Sequence, residues 1–170
     1  MNDICIIGIV DVGCANIGNI SNALAYLEVD YKVIHNSSAL SDVGKIILPG
    51  VGSFPFFMQS LQEKGFIEKL NELFESGRSM LGICLGMQVF YEFSDENNGQ
   101  EGLALVHGNV KKFDFKEMNR LYKVPHISWT KVEVDREKSD LSRDLFVSID
   151  PDSKFYFLHS YYGKCRRSYN

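Results

Sequence analysis

Ser79-Met80-Leu81-Gly82-Ile83-Cys84-Leu85-Gly86-Met87-Gln88 decides how this chain is read. Its first six residues are an apolar run of strand length, opened by a Gly77-Arg78 break. The run ends in a G-x-C-x-G pattern that leads from the strand toward a helical stretch. Written with serine, that spacing builds a nucleophile elbow. Small residues on either side let the backbone turn sharply, so the thiol projects over the amino end of the helix. The helix dipole and free amides there favour a thiolate. The amide of Leu85, next after the thiol, is placed to donate to an oxyanion. Read alone, the pattern fits equally well a buried free cysteine beside two packing glycines.

Upstream, strands alternate with helices. Ile4 to Val10 is an apolar run ended by Asp11-Val12-Gly13 and reads as a buried strand. Ile17, Ile20, Leu24 and Leu27 recur at helical spacing. Tyr31 to His35 predicts a second strand, and Lys45 to Leu48 a third, ended by Pro49-Gly50-Val51-Gly52. Helical material is expected from about Phe56 to Ser76. This alternation predicts an α/β fold with a largely parallel sheet flanked by helices. Sites in such sheets lie at the carboxyl ends of the strands. Those ends carry Asp11 to Asn16, Pro49 to Gly52 and Cys84, so three loops should converge on one edge.

After about Gly99 the pattern shortens. Leu103 to Val106, Val110 to Phe115, Thr130 to Val134 and Phe155 to His159 read as additional, partly antiparallel strands of the same domain. Asp135 to Asp144 is charged and reads as a surface loop or turn. No repeat or linker divides the chain, so residues 1–170 are expected to form a single domain.

Composition excludes several classes. The chain has 170 residues, 45% hydrophobic and 24% charged, which is ordinary for a globular protein and excludes disorder. The formal net charge is −4, with no basic excess to meet a phosphate backbone, so no nucleic-acid partner is expected. Lys164, Arg166 and Arg167 read as a solvated cluster. The opening apolar run is short and lacks a basic flank, so neither a signal peptide nor a membrane association is expected, and the default address is cytoplasmic. Cys5, Cys14, Cys84 and Cys165 have neither metal-ligand nor C-x-x-C spacing and are expected as free thiols; no metal is expected.

The full heptapeptide Gly82 to Gln88 resembles the nucleophile elbow of class I (triad-type) glutamine amidotransferases. Leu48-Pro49-Gly50-Val51-Gly52-Ser53-Phe54 is similar to that family's oxyanion segment, and Asp11 to Ile17 to a first-strand signature. Val124 to Trp129 and Phe155 to Tyr162 resemble two later signatures. The likeness runs from residue 4 to about 163, with the motifs in order. It implies a flavodoxin-like core and an activity: Cys84 attacks the side-chain amide of glutamine, forms a glutamyl thioester and releases ammonia. It further implies that the amides of Val51 and Leu85 serve the oxyanion. Gly50 and Gly52 would let the chain pass close to the substrate and its peptide reorient. Gln88, Ser160 and Tyr161 would line the glutamine pocket. Asn16, His126 and Trp129 match positions near the interface with a (β/α)8-barrel synthase/cyclase subunit. That subunit would receive the ammonia as the other half of a heterodimer and build an imidazole ring in histidine biosynthesis. No cofactor is implied.

The resemblance also implies a base, a histidine in a His-Pro-Glu segment. His35, His107, His126 and His159 are followed two places on by Ser37, Asn109, Ser128 and Tyr161, so no H-x-E occurs. A chain ending at Asn170 is expected to lack the last strands of the sheet, to expose a strand edge and to be inactive. Two alternatives follow: a non-catalytic subunit that only docks on the partner, and a paralogous subunit of a surface-sugar pathway. Val12 for an aromatic, Ala15 for glycine and Ser128 for glycine depart from the pattern at the partner contacts.

Overall fold

The apolar run before Asp11 forms strand β1 (Ile7–Val10) in a computed structural model that describes residues 6–114, 123–133 and 145–166. Ile4 and Cys5, Phe115, Val134, Asp135 to Asp144 and Arg167 lie outside the described residues. Contacts divide the chain into two compact units, residues 1–112 with 162–170, and residues 113–161.

The first unit holds a four-stranded parallel sheet. Helix α1 (Ile17–Tyr26) follows β1, then β2 (Tyr31–Ile34), β3 (Lys45–Gly50), helices α2 (Phe54–Glu63) and α3 (Phe66–Glu75), and β4 (Ser79–Cys84). The strand order is β2-β1-β3-β4. Register is unbroken from Lys45↔Ser79 to Gly50↔Cys84, which brings the end of the Pro-Gly-Val-Gly segment beside the elbow. The expected parallel α/β core is therefore present.

Amphipathic spacing explains the helices. α2 buries Phe54, Phe57, Met58 and Leu61, and α3 buries Phe66, Leu70 and Leu73. The single helical stretch expected from Phe56 to Ser76 is interrupted at Gly65, which takes φ +66. Only glycine adopts that angle cheaply, so the chain restarts there as a second helix. α1 stops at Tyr26, leaving Leu27 as an exposed cap rather than a core residue. Ile9, Ile34, Ile46, Leu48, Phe54 and Phe57 are fully buried and define the core of this unit.

Past the elbow a single helical turn, α4 (Leu85–Gln88), leads to β5 (Tyr91–Ser94), β6 (Gln100–Glu101), β7 (Val106–Lys112) and β10 (Tyr161–Cys165). These form a second sheet in the order β10-β7-β5-β6, with β5 parallel to β7 and antiparallel to β6. Leu103 to Val106 is not a strand. Ala104 has φ +56, and Leu103 and Val106 donate back to the carbonyls of Val89 and Phe90, so the segment is an irregular connection and only Val106 belongs to a strand. β7 begins at Val106, four residues ahead of the expected start at Val110.

The second unit contains an antiparallel pair, β8 (His126–Lys131) and β9 (Lys154–His159), with His126↔His159 and Trp129↔Tyr156 opposed. β8 starts four residues before the expected Thr130, directly after Pro125. Among the described residues no helix is long and apolar enough to cross a membrane.

Candidate functional site

Cys84 ends β4 at φ +55, ψ −116, a region that residues with a side chain avoid. Backbone strain of this kind costs about 1–3 kcal/mol and persists where the surroundings enforce it. Here the enforcement comes from three glycines. A Cβ on Gly82 would lie 2.6 Å from the amide nitrogen of Met87, and one on Gly86 would run into the carbonyl of Leu48 on β3. A Cβ on Gly50 would lie 2.8 Å from the amide nitrogen of Gly86. The elbow therefore closes only because both arms of the turn, and the strand beside it, lack side chains.

The thiol of Cys84 is exposed, as an elbow requires. Among the described residues no group hydrogen-bonds its Sγ. Leu85 opens α4, where its N–H has no intrahelical acceptor. The helix behind the thiol is shorter than expected. One turn offers free amides but not the summed dipole of a long helix. Gln88 closes the turn and is buried.

The Asp11–Asn16 loop meets the Pro49–Gly52 segment. Val51 donates its N–H to the carbonyl of Cys14 at 2.8 Å, while its side chain is exposed. Gly52 follows at φ +106 with open space around its Cα. Asp11 braces the loop: its Oδ1 accepts from Gly13 N–H at 2.8 Å, its Oδ2 lies 3.4 Å from His35 Nδ1, and its carbonyl accepts from Lys64 Nζ at 3.1 Å. Cys14 Sγ sits 3.7 Å from Ser60 Oγ. Asn16 caps α1, its Oδ1 accepting from Asn19 N–H at 3.2 Å.

One residue that sequence reading passed over joins this cluster. Ser53 occupies the cap position of α2 in extended geometry, yet its side chain makes no capping bond. Glu96, 42 residues away, accepts the Phe54 N–H through Oε2 at 3.0 Å. No local pattern announces a cap delivered from so far along the chain.

Of the sequence-derived candidates, the first unit brings Gly50, Val51, Gly52, Cys84, Leu85 and Gln88 onto the β3–β4 edge, with Asn16 on the adjoining loop. His126, Trp129, Ser160 and Tyr161 belong to the second unit. There His126 and Trp129 fall on opposite faces of β8, since side chains alternate along a strand. Trp129 pairs with Tyr156, rings 5.4 Å apart, and both are more than half exposed. His126 joins a polar chain instead. Its Nδ1 lies 3.2 Å from His159 Nε2, its Nε2 lies 2.8 Å from Ser128 Oγ, and Ser128 Oγ lies 2.7 Å from Thr130 Oγ1. His159 Nδ1 reaches the carbonyl of Tyr161 at 2.7 Å.

A carboxylate in the first unit titrates unusually. Hydrogen bonds from His107 at 3.0 Å and from the Gly108 N–H, with Arg166 nearby, hold the Glu92 carboxyl below the usual range. It belongs to the β5–β7 sheet and not to the elbow. No cluster of three or more His, Cys, Asp or Glu that would hold a metal exists among the described residues.

The family model for glutamine amidotransferase class-I matches residues 8–166. The imidazole glycerol phosphate synthase subunit HisH of Leptospira interrogans is 38% identical over 160 residues, covering 94% of this chain and 76% of the relative. The HisH subunit of Sulfurimonas denitrificans is 36% identical over 159 residues, covering 94% and 74%. A crystal structure of a glutamine amidotransferase superposes with a TM-score of 0.64 over 91% of this chain and 70% of its own, at 15% identity, which shows a shared fold.

Proposed function

The chain belongs to the class-I glutamine amidotransferases, and from that premise we propose that it is the glutaminase subunit of an imidazole glycerol phosphate synthase. It hydrolyses glutamine to glutamate and ammonia through a thioester on Cys84, and passes the ammonia to a (β/α)8-barrel synthase/cyclase partner in a cytoplasmic heterodimer. The observation that carries the chemistry is the strained turn at Cys84, held open by Gly82, Gly86 and Gly50.

The steps follow from the residues. The thiolate of Cys84 adds to the carboxamide carbon of glutamine, and negative charge develops on the amide oxygen. The Leu85 N–H at the start of α4 donates to it, and a second donor is the N–H of Val51. That N–H is turned to the Cys14 carbonyl, so the Gly50–Val51 peptide must rotate before it serves the oxyanion. Glycines on both sides lower the cost of that rotation. Collapse of the adduct expels ammonia, the proton given up by the Cys84 thiol passing through solvent to the leaving nitrogen because no described side chain bonds the Sγ, and water then cleaves the thioester. Gln88, Ser160 and Tyr161 hold the glutamine. Asn16, His126 and Trp129 lie near the partner interface.

The test is a glutamine-derived diazo-ketone applied to the protein with its barrel partner. We expect a single adduct, on Cys84, with Cys5 spared, and co-purification as a 1:1 complex. Equal labelling of both cysteines, or no labelling in the complex, would overturn the nucleophile; labelling lost with a 1:1 complex retained would favour a docking subunit.

A further inference from the structure

We propose that Glu96 is a positioning residue for the oxyanion segment, acting through the first amide of α2; the inference rests on the reading of Cys84 as nucleophile. Residues 49–52 are strung between two anchors. Upstream is the end of β3, in register with β4 through Gly50↔Cys84. Downstream is the amino end of α2, where Ser53 contributes no side-chain cap and Pro55 has no N–H to give. The one capping bond shown there is Phe54 N–H to Glu96 Oε2, at 3.0 Å. Phe54 itself is fully buried, so the anchor sits two residues past Gly52 against the core.

The loop that presents Glu96 is built for the purpose. Asn97, Asn98 and Gly99 take φ +50, +72 and +101 in succession. Asparagine and glycine are the residues that tolerate this region, and three in a row fold the chain back on itself. Ser94, fully buried, accepts the Glu96 N–H through Oγ at 3.2 Å. Asp95 is held on both sides, its N–H by the Val110 carbonyl at 3.0 Å and its carboxylate by Lys111 at 2.9 Å. The carboxylate of Glu96 is thus aimed at α2 by a braced turn. A charge-assisted bond at a helix start is a strong cap. With it in place, Gly52 and Val51 swing about a fixed downstream end. Without it, α2 frays at Phe54 and the segment loses one of its two anchors.

Amide exchange and labelling together test this. In E96A, exchange at Phe54 should rise about fivefold, the worth of a typical cap, with Ile46 to Leu48 still protected. Labelling of Cys84 by the diazo-ketone, which needs the oxyanion donors, should slow by a similar factor. Alkylation by iodoacetamide, which does not need them, should be unchanged. E96Q keeps an oxygen acceptor of the same reach and should retain both Phe54 protection and labelling. It also decides the matter if E96A fails to fold. Unchanged exchange in E96A, or faster exchange with unchanged labelling, would overturn the proposal. So would E96Q that protects Phe54 yet labels slowly, because the charge would then act on the ligand directly. A wild-type Cys84 that takes no label would instead sink the nucleophile reading beneath it.

Discussion

β3 and β4 lie side by side in continuous register, and they meet opposite surroundings. From Ile46 to Gly50 every residue of β3 is buried. β4 alternates between exposed and half-buried residues, with Leu81 54% and Ile83 39% exposed. It is the outer strand of its sheet among the described residues. Both strands are apolar runs, and periodicity alone gave them the same reading. A run of apolar residues specifies a strand; what covers its two faces is a property of the rest of the fold. Cys84 thus ends the less covered of the two strands, and its turn packs against the other.

The strongest way to break this comparison is at the contact between them. Gly86→Ala drives a methyl into the Leu48 carbonyl and should cost about 4 kcal/mol or more, with loss of Cys84 labelling. Urea titration reads the first and mass spectrometry the second. A variant that keeps wild-type stability would show that the elbow does not lean on β3.

Matched truncations sharpen the contrast. Leu48→Ala removes a fully buried side chain and should cost about 3 kcal/mol. Leu81→Ala removes an exposed one and should cost under about 1 kcal/mol. Equal losses in the urea midpoints would mean that β4 is covered in solution.

Asn16 belongs to the loop after β1, which pairs with β3. Asn16→Ala should cost about 1 kcal/mol of stability through the lost α1 cap. Asn16→Asp, which keeps a capping oxygen, should restore it; unchanged stability in Asn16→Ala would show that the cap contributes nothing.

The smallest effect is expected away from both strands, at Glu92. Its carboxyl is held below its ordinary value, so its stabilising contribution is present above the usual glutamate range, about 4.3, and is lost as pH falls through the lowered value. Urea midpoints of wild type and Glu92→Gln should differ at about pH 6 and converge in acid. A difference that grows on acidification contradicts the assignment.

Much of the first unit was legible in the sequence. β4 falls on Ser79–Cys84 as read, because a glycine break opens it and the elbow ends it. Gly65 was legible as well, since a glycine inside a helical pattern is a stop signal, yet the two amphipathic faces joined across it read as one helix. β5 was obscured because the helical stretch expected after the elbow is a single turn, and a strand follows it at Tyr91. Within the site, residue types pointed to Cys84, Gly50 and Gly52. They did not show that the Val51 amide is turned to Cys14, or that Glu96 caps α2, because both are contacts between segments far apart in the chain.

The polar chain on β8 and β9 has a consequence in tautomers. The Tyr161 carbonyl can only accept, so with both rings neutral the hydrogen of His159 resides on Nδ1, and its Nε2 is left as an acceptor. His126 must then carry its hydrogen on Nδ1 and accept at Nε2. Ser128 is left to donate to His126, and Thr130 to donate to Ser128. One main-chain oxygen orients four hydrogens in a single direction across the ribbon. Ser128 is the link that carries this polarity past the imidazoles.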